Sequence, residues 1–227
     1  MRRLILFDID GTLVRGGPAK VAFESAMLET YGTTGDVHRV SFAGKTDPQI
    51  ARELLTGAGF DDQTIDAGLP ELWERYLDYL RAGLGTTPVS VLAGVQALLD
   101  ALVAVEGVAL GLVTGNIAGG AELKLGSAGL WDRFAVGGFG SDHEERDHLP
   151  GIALRRARVH WRAELPARDA VIVGDTPRDV ACGRAGGTRT LAVATGSFSP
   201  TDLRAAGADH VVEDLTATHR VVELLTA

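Results

Sequence analysis

The 227-residue sequence predicts an α/β protein: a doubly wound, mainly parallel sheet flanked by helices, with a small helical unit inserted after the first strand. Three observations predict it. Short apolar runs recur along the chain and end on Asp, Thr or Gly, the pattern of strands buried on both faces. Helix-period apolar stripes separate these runs, the alternation expected of parallel strands joined by crossovers. Residues 15–88 break the alternation, with helical stripes but no buried-strand run.

Residues 4–7 form the first run and stop at Asp8. In the inserted segment, Val21, Phe23, Ala26 and Met27 make one helical stripe, and Leu69, Leu72, Trp73, Tyr76 and Leu80 make another. Trp73, Tyr76 and Tyr79 are expected in the core of this unit. Its ends are loop-like, Gly16-Gly17-Pro18 on one side and residues 83–88 on the other, so 1–14 with 89–227 is expected as the main body. A helix follows through Val95, Leu98, Leu99, Leu102 and Val103. The strand at 108–113 runs into Thr114-Gly115-Asn116. Leu123, Leu125, Leu130 and Trp131 mark a further helical stretch, and the strand at 134–139 ends in Gly140-Ser141-Asp142. Pro150 opens a helix through Ala157. The strand at 170–173 leads into Gly174-Asp175-Thr176-Pro177, where Pro177 opens a helix that stops at Gly186-Gly187. Residues 191–193 and 210–212 complete the strands.

Composition narrows the function classes. At 45% hydrophobic and 23% charged the chain has material for a core, and a net charge of −8 offers no basic face for nucleic acid. The single cysteine, Cys182, makes no intramolecular disulfide and fits a reducing compartment. The apolar run before Asp8 is too short for a secretory leader, and 98–113 is interrupted by Asp100 and Glu106, so a cytoplasmic protein with no membrane span is expected. No sequence signal fixes an oligomeric state.

In parallel sheets, ligands bind beyond the carboxyl ends of the strands. There the sequence places Phe7-Asp8-Ile9-Asp10-Gly11-Thr12-Leu13. Two carboxylates one residue apart can both reach past the strand end, Gly11 permits a tight turn, and Thr12 can brace it. Carboxylates clustered at that edge repel one another, and Mg²⁺ would relieve the repulsion.

With Thr114 after a second strand and Gly174-Asp175-Thr176-Pro177-Arg178-Asp179 after a later one, the chain resembles the haloacid dehalogenase-like hydrolase superfamily over nearly its whole length. The resemblance is to the phosphoglycolate-phosphatase-like branch, in which a segment like Gly44-Lys45-Thr46-Asp47 recurs. It implies a Rossmann-like core with an α-helical cap domain at 15–88. Asp8 would be the nucleophile, forming an aspartyl-phosphate, and Asp10 the general acid and base. Thr114, with Gly115 and Asn116, would hold phosphoryl oxygens. Mg²⁺ would rest on Asp8, Asp10 and Asp175, with Asp179 supporting the metal site. The substrate would be a small phosphorylated metabolite.

The family's usual lysine is the point of departure. Of the three lysines, Lys20 and Lys45 lie in the insertion, and Lys124 comes 51 residues before Asp175. Arg146, 29 residues before Asp175, stands where that lysine is expected, and a guanidinium can serve a carboxylate and a phosphoryl oxygen together. Arg146 is the first candidate for the catalytic cation and Lys124 the second. Lys45 could reach the substrate from the cap. No P-loop is present, since Arg39 occupies the position where that motif needs Gly. The histidines show no metal-ligand spacing, so no zinc centre is expected. A sugar-phosphate mutase of the same superfamily and a non-catalytic phosphate-binding module are the competing readings. A phospho-accepting receiver has no large helical insertion after its first strand.

Overall fold

A computed structural model describes residues 3–227. The elements run β1 (Arg3–Phe7), β2 (Val14–Gly16), α1 (Ala19–Tyr31), α2 (Asp47–Gly57), α3 (Asp62–Leu84), β3 (Val89–Val91), α4 (Val95–Val103), β4 (Val108–Thr114), α5 (Ala118–Ser127), β5 (Val136–Phe139), α6 (Leu149–Trp161), β6 (Ala170–Gly174), α7 (Pro177–Ala185), β7 (Arg189–Val193), α8 (Pro200–Ala205), β8 (His210–Val212) and α9 (Thr218–Thr226). Six strands form one parallel sheet in the order β5-β4-β1-β6-β7-β8. The chain leaves β1 toward β4 and β5, then returns to β6 and runs outward on the other side. This reversal at β1 is the switch point where open α/β sheets bind ligands.

The continuous apolar runs are explained by burial on both faces. In β1, Ile5 and Phe7 pack into the larger core, while Leu4 and Leu6 join a second core with Leu149, Ala153 and Cys182. All four β1 side chains are fully buried. At roughly 2 kcal/mol for each large aliphatic group, this strand anchors both layers.

Residues 14–16 and 89–91 pair antiparallel as a separate two-stranded ribbon, which sequence reading does not anticipate. Each strand has three residues and only its first, Val14 or Val89, is buried, too short a run to show period-2 patterning. Between the two strands, α1 and α3 pack around Phe23, with Tyr76 edge-on at 5.9 Å and Trp73 stacked at 6.2 Å. Three positions assigned to buried stripes lie at the surface: Val21, Val103 and Tyr79. The first two sit at the margin of an otherwise buried stripe. Tyr79 turns its hydroxyl out to Glu29, 3.0 Å away. The helical stretch inferred through Leu130 ends at Ser127, and residues 131–133 form a single 3₁₀ turn.

Candidate active site

Three strand ends of the sheet supply the site. The Asp8 amide donates to the Val173 carbonyl at 2.8 Å, so β6 fixes the point where Asp8 leaves β1. The chain then folds back, with Leu13 and Val14 both donating to the Ile9 carbonyl. Gly11 makes this turn possible. Its φ is +82°, and a Cβ there would stand 2.3 Å from an Asp175 carboxylate oxygen. Thr114 closes β4, and Asp175 follows β6.

Two connected polar groups meet here. In the first, Arg146 lies 3.0 Å from the Asp8 carboxylate and 2.5 Å from Asp179, all three buried. It also donates to the carbonyls of Gly44 (3.3 Å) and Val113 (3.5 Å). Asp179 is the third residue of α7. Its second oxygen accepts from the Thr176 amide and hydroxyl, a capping box that fixes the helix start. Both Asp179 oxygens are therefore taken by protein donors. In the second group, Lys124 donates to Asp10 at 2.7 Å and to Asn116 at 2.6 Å. The Asn116 amide donates to the same Asp10 oxygen and to the Thr114 hydroxyl, each at 2.8 Å.

Both candidate cations are thus in the site, Arg146 beside Asp8 and Lys124 beside Asp10. Lys124 is 51 residues from Asp175 in sequence, but it is buried in α5 within reach of Asp10. Its signal was its place in the helix: with Ala121 and Leu125 it falls at i, i+3 and i+4 on the buried stripe, where a lysine needs a partner.

Electrostatics separate the carboxylates. Burial pushes Asp8 up to about 6, with Arg146 pulling the other way and Asp179 and Asp10 adding to the rise. Burial and the charges of Asp8 and Asp179 push Asp175 to about 8. Burial would raise Asp10 too, but Lys124 and the hydrogen bonds from Lys124 and Asn116 outweigh it, and its carboxyl is held below the usual value. Asp8, Asp175 and Asp179 offer oxygens within 4.8 Å of one another. Among the described residues, the one side chain that hydrogen-bonds Asp175 is Thr12, whose hydroxyl donates to it at 3.4 Å. A hard, oxygen-seeking divalent cation fits this donor set, since it would stabilise the ionised forms that burial disfavours.

A pH dependence follows from the same shifts. Asp8 and Asp175 hold protons in the metal-free folded protein at pH values where an unfolded aspartate, near 3.8, has lost them. The unfolded state then binds fewer protons, so stability falls as pH rises from about 4 to about 8. Thermal unfolding in EDTA should show Tm declining across that window, and saturating Mg²⁺ should flatten the decline. An EDTA profile that rises from pH 5 to 8 would contradict the carboxylate cluster.

The segment at 44–47 lies directly on these loops. The Asp47 amide donates to the Gly115 carbonyl, and its carboxylate accepts from the Ile117 amide, both at 2.8 Å. The Thr46 hydroxyl donates to the Glu144 carbonyl at 2.6 Å, and Arg52 grips the Glu144 carboxylate. Burial raises the Asp47 carboxyl to about 6. Lys45 borders the cavity but is paired with Glu53 of α2. The cavity measures about 420 Å³. Asp8, Asp10, Thr114, Lys124, Arg146 and Asp175 line it, together with Lys20, Phe23, Phe42, Lys45 and Tyr76 from the inserted segment.

A parallel sheet that gathers carboxylates from two strand ends, a threonine from a third and two buried cations has the layout of an α/β phosphoryl-transfer enzyme. The chain belongs to the haloacid dehalogenase-like hydrolase family, whose model matches residues 5–184, and a HAD-hydrolase-like model matches 151–218. It is similar to a phosphoglycolate phosphatase of Xanthomonas campestris pv. campestris, with 32% identity over 86% of this chain and 84% of that protein. It is also similar to an N-acetylmuramic acid 6-phosphate phosphatase of Pseudomonas aeruginosa, 28% identical over 93% and 90%. Among solved structures, a hydrolase from Pseudomonas syringae shares the fold, with a TM-score of 0.69, 19% identity and 99% of each chain covered. The family and its phosphoglycolate-phosphatase-like relatives make this chain a hydrolase of phosphoric monoesters. Among the described residues, no helix is long and apolar enough to cross a membrane.

Proposed function

We propose that the chain hydrolyses a small-molecule phosphomonoester in a Mg²⁺-dependent reaction through an aspartyl-phosphate on Asp8. One observation carries the reading: the buried Asp8 carboxylate at the switch point, with Arg146 at 3.0 Å and Asp175 beside it, opens on the same cavity as Asp10 and Thr114. Asp8, the Asp10 carbonyl and Asp175 would hold Mg²⁺, and Asp179 would support the site by holding Arg146 and Thr176. The ion, when bound, supplies positive charge against a carboxylate attacking an anionic phosphoryl group.

In the first half-reaction an Asp8 oxygen attacks phosphorus, the P–O bond to the leaving alcohol breaks, and Asp10 gives that oxygen its proton. In the second, Asp10 takes a proton from water, the water oxygen attacks phosphorus, and the Asp8–phosphorus bond breaks to release inorganic phosphate. In the resting site Lys124 and Asn116 keep Asp10 ionised, as its base role requires. A phosphate dianion entering beside it raises its proton affinity and readies the acid role. Arg146, Thr114 and the Gly115 amide meet the charge spread over the phosphoryl oxygens. Asn116 orients Thr114 and Asp10.

Residues 15–88 act as a cap over a core formed by 1–14 and 89–227, and Lys45 faces the substrate from that cap. Phosphoglycolate and N-acetylmuramic acid 6-phosphate, named for the relatives, are the first substrates to try. Phosphate release from a panel of phosphorylated metabolites, with Mg²⁺ or with EDTA, tests the reading. Release in Mg²⁺ alone supports it, and silence across the panel counts against it. Sugar-phosphate interconversion without net release would favour a mutase.

Gly115 is the close approach on which cap docking depends. A Cβ there would stand 2.0 Å from the Lys45 carbonyl oxygen. Gly115→Ala should force the 44–47 segment off the core, costing about 1–3 kcal/mol and lowering kcat/KM by roughly tenfold or more. Steady-state kinetics and thermal unfolding together check this, and wild-type kinetics would refute the tight docking.

A further inference from the structure

A second group of donor atoms lies outside the catalytic cavity, on the loop between β5 and α6. His143, Glu145 and His148 are exposed, and each offers one ligand atom within 4.8 Å of the other two. The two imidazole rings lie 3.9 Å apart, centroid to centroid. His148 Nε2 is 3.2 Å from the Glu145 carboxylate, and the Glu145 amide donates to His143 Nδ1 at 3.0 Å. Residues 146–148 form a 3₁₀ turn, and this turn brings two histidines five positions apart side by side. Their spacing is not that of ligands on one helix or in one zinc loop, so the sequence alone does not mark them as a group.

The loop that carries this turn has two faces with different chemistry. Its inner face carries the buried Arg146, which reaches Asp8 and Asp179. Just before it, Glu144 holds Thr46 and Arg52. The outer face carries the three donors, and the side-chain bonds they make are to one another. Two imidazoles and a carboxylate suit Zn²⁺ and its neighbours and are a poor set for Mg²⁺, which prefers oxygen ligands and its own water.

We propose that His143, Glu145 and His148 form a second metal site, selective for zinc-class divalent ions, that clips the outer face of the loop whose inner face positions Arg146. The site is separate from the Mg²⁺ cluster in both place and ligand type, and it stands whether or not the Asp8 chemistry does.

The test is zinc binding to the full-length protein in saturating Mg²⁺, read by competition with a chromogenic zinc chelator. One zinc per chain is expected for the wild type. His143→Ala and His148→Ala should each weaken it by at least about tenfold, since even outer partners of a metal contribute 10–100-fold. Asp175→Asn should leave it unchanged. Zinc should also raise the Tm of the wild type but not of His148→Ala, and slow hydrogen exchange in residues 143–148. Both histidine variants should keep their zinc-free Tm, because the two side chains are exposed. Overturning results are no zinc bound in saturating Mg²⁺, binding that survives both histidine substitutions, or binding lost in Asp175→Asn instead.

Discussion

Asp8→Asn should abolish Mg²⁺-dependent phosphate release, lowering kcat on the order of 10⁴-fold or more, as expected when a covalent nucleophile is lost. The substitution keeps the shape of the side chain and removes its charge. An amide oxygen is a poor nucleophile, so the first half-reaction has nothing to replace the carboxylate. The same change should make the metal-free protein more stable. Burial and the neighbouring Asp179 and Asp10 push Asp8 to about 6, so at neutral pH its charge is held at a cost. Neutralising it should add on the order of 2 kcal/mol at pH 7, or roughly 4–8 °C in Tm. Activity and stability moving in opposite directions is the signature of a residue kept for chemistry. Retained turnover would remove Asp8 from the nucleophile's role.

Arg146→Ala should be damaging in both respects. Arg146 is buried between Asp8 and Asp179, and truncation leaves two carboxylates in low dielectric without their cation. The carbonyls of Gly44 and Val113 also lose a donor. Removing one partner of a buried ion pair costs about 3–5 kcal/mol, so Tm should fall by roughly 6–20 °C. Loss of charge stabilisation at the phosphoryl group should lower kcat by about 10²–10³-fold. Arg146→Lys should recover part of the stability and less of the rate, because an ammonium reaches Asp8 or Asp179 more readily than both. Lys124 cannot take over, as its charge is already committed to Asp10 and Asn116. Thermal unfolding and steady-state kinetics on the three proteins check the ordering. Equal Tm values for wild type and Arg146→Ala would contradict the buried ion-pair geometry.

The strands that build the site were legible because burial on both faces leaves uninterrupted apolar runs, and residues 4–7, 108–113 and 170–173 stop at the positions where the chain turns. Asp8, Thr114 and Asp175 could be read from those stops. Long-range contacts were not legible in the same way. Lys124 lies far along the chain from Asp8 and Asp175, and only the placement of α5 in the fold brings it to Asp10. The Asp47 contacts with Gly115 and Ile117 depend on how the helical segment settles on the core, which no local pattern encodes. The ribbon at 14–16 and 89–91 is too short and too exposed for a periodic signal. His143 and His148 meet only because a 3₁₀ turn shortens the path between them. Tyr79 was misjudged because aromatic character suggested a core position, whereas its polar tip finds Glu29 at the surface.

Trapping the intermediate tests the central claim most directly. Asp10→Asn should be mixed with p-nitrophenyl phosphate and Mg²⁺, quenched in acid and analysed by peptide mass spectrometry. The p-nitrophenolate leaving group needs no proton, so the first half-reaction should survive, while the second loses the base that activates water. The expected result is a burst of p-nitrophenolate near one equivalent per site, with a phosphoryl group on Asp8. Turnover with no burst and no phosphorylated Asp8 at any quench time, or a phosphoryl group on another residue, would contradict the account.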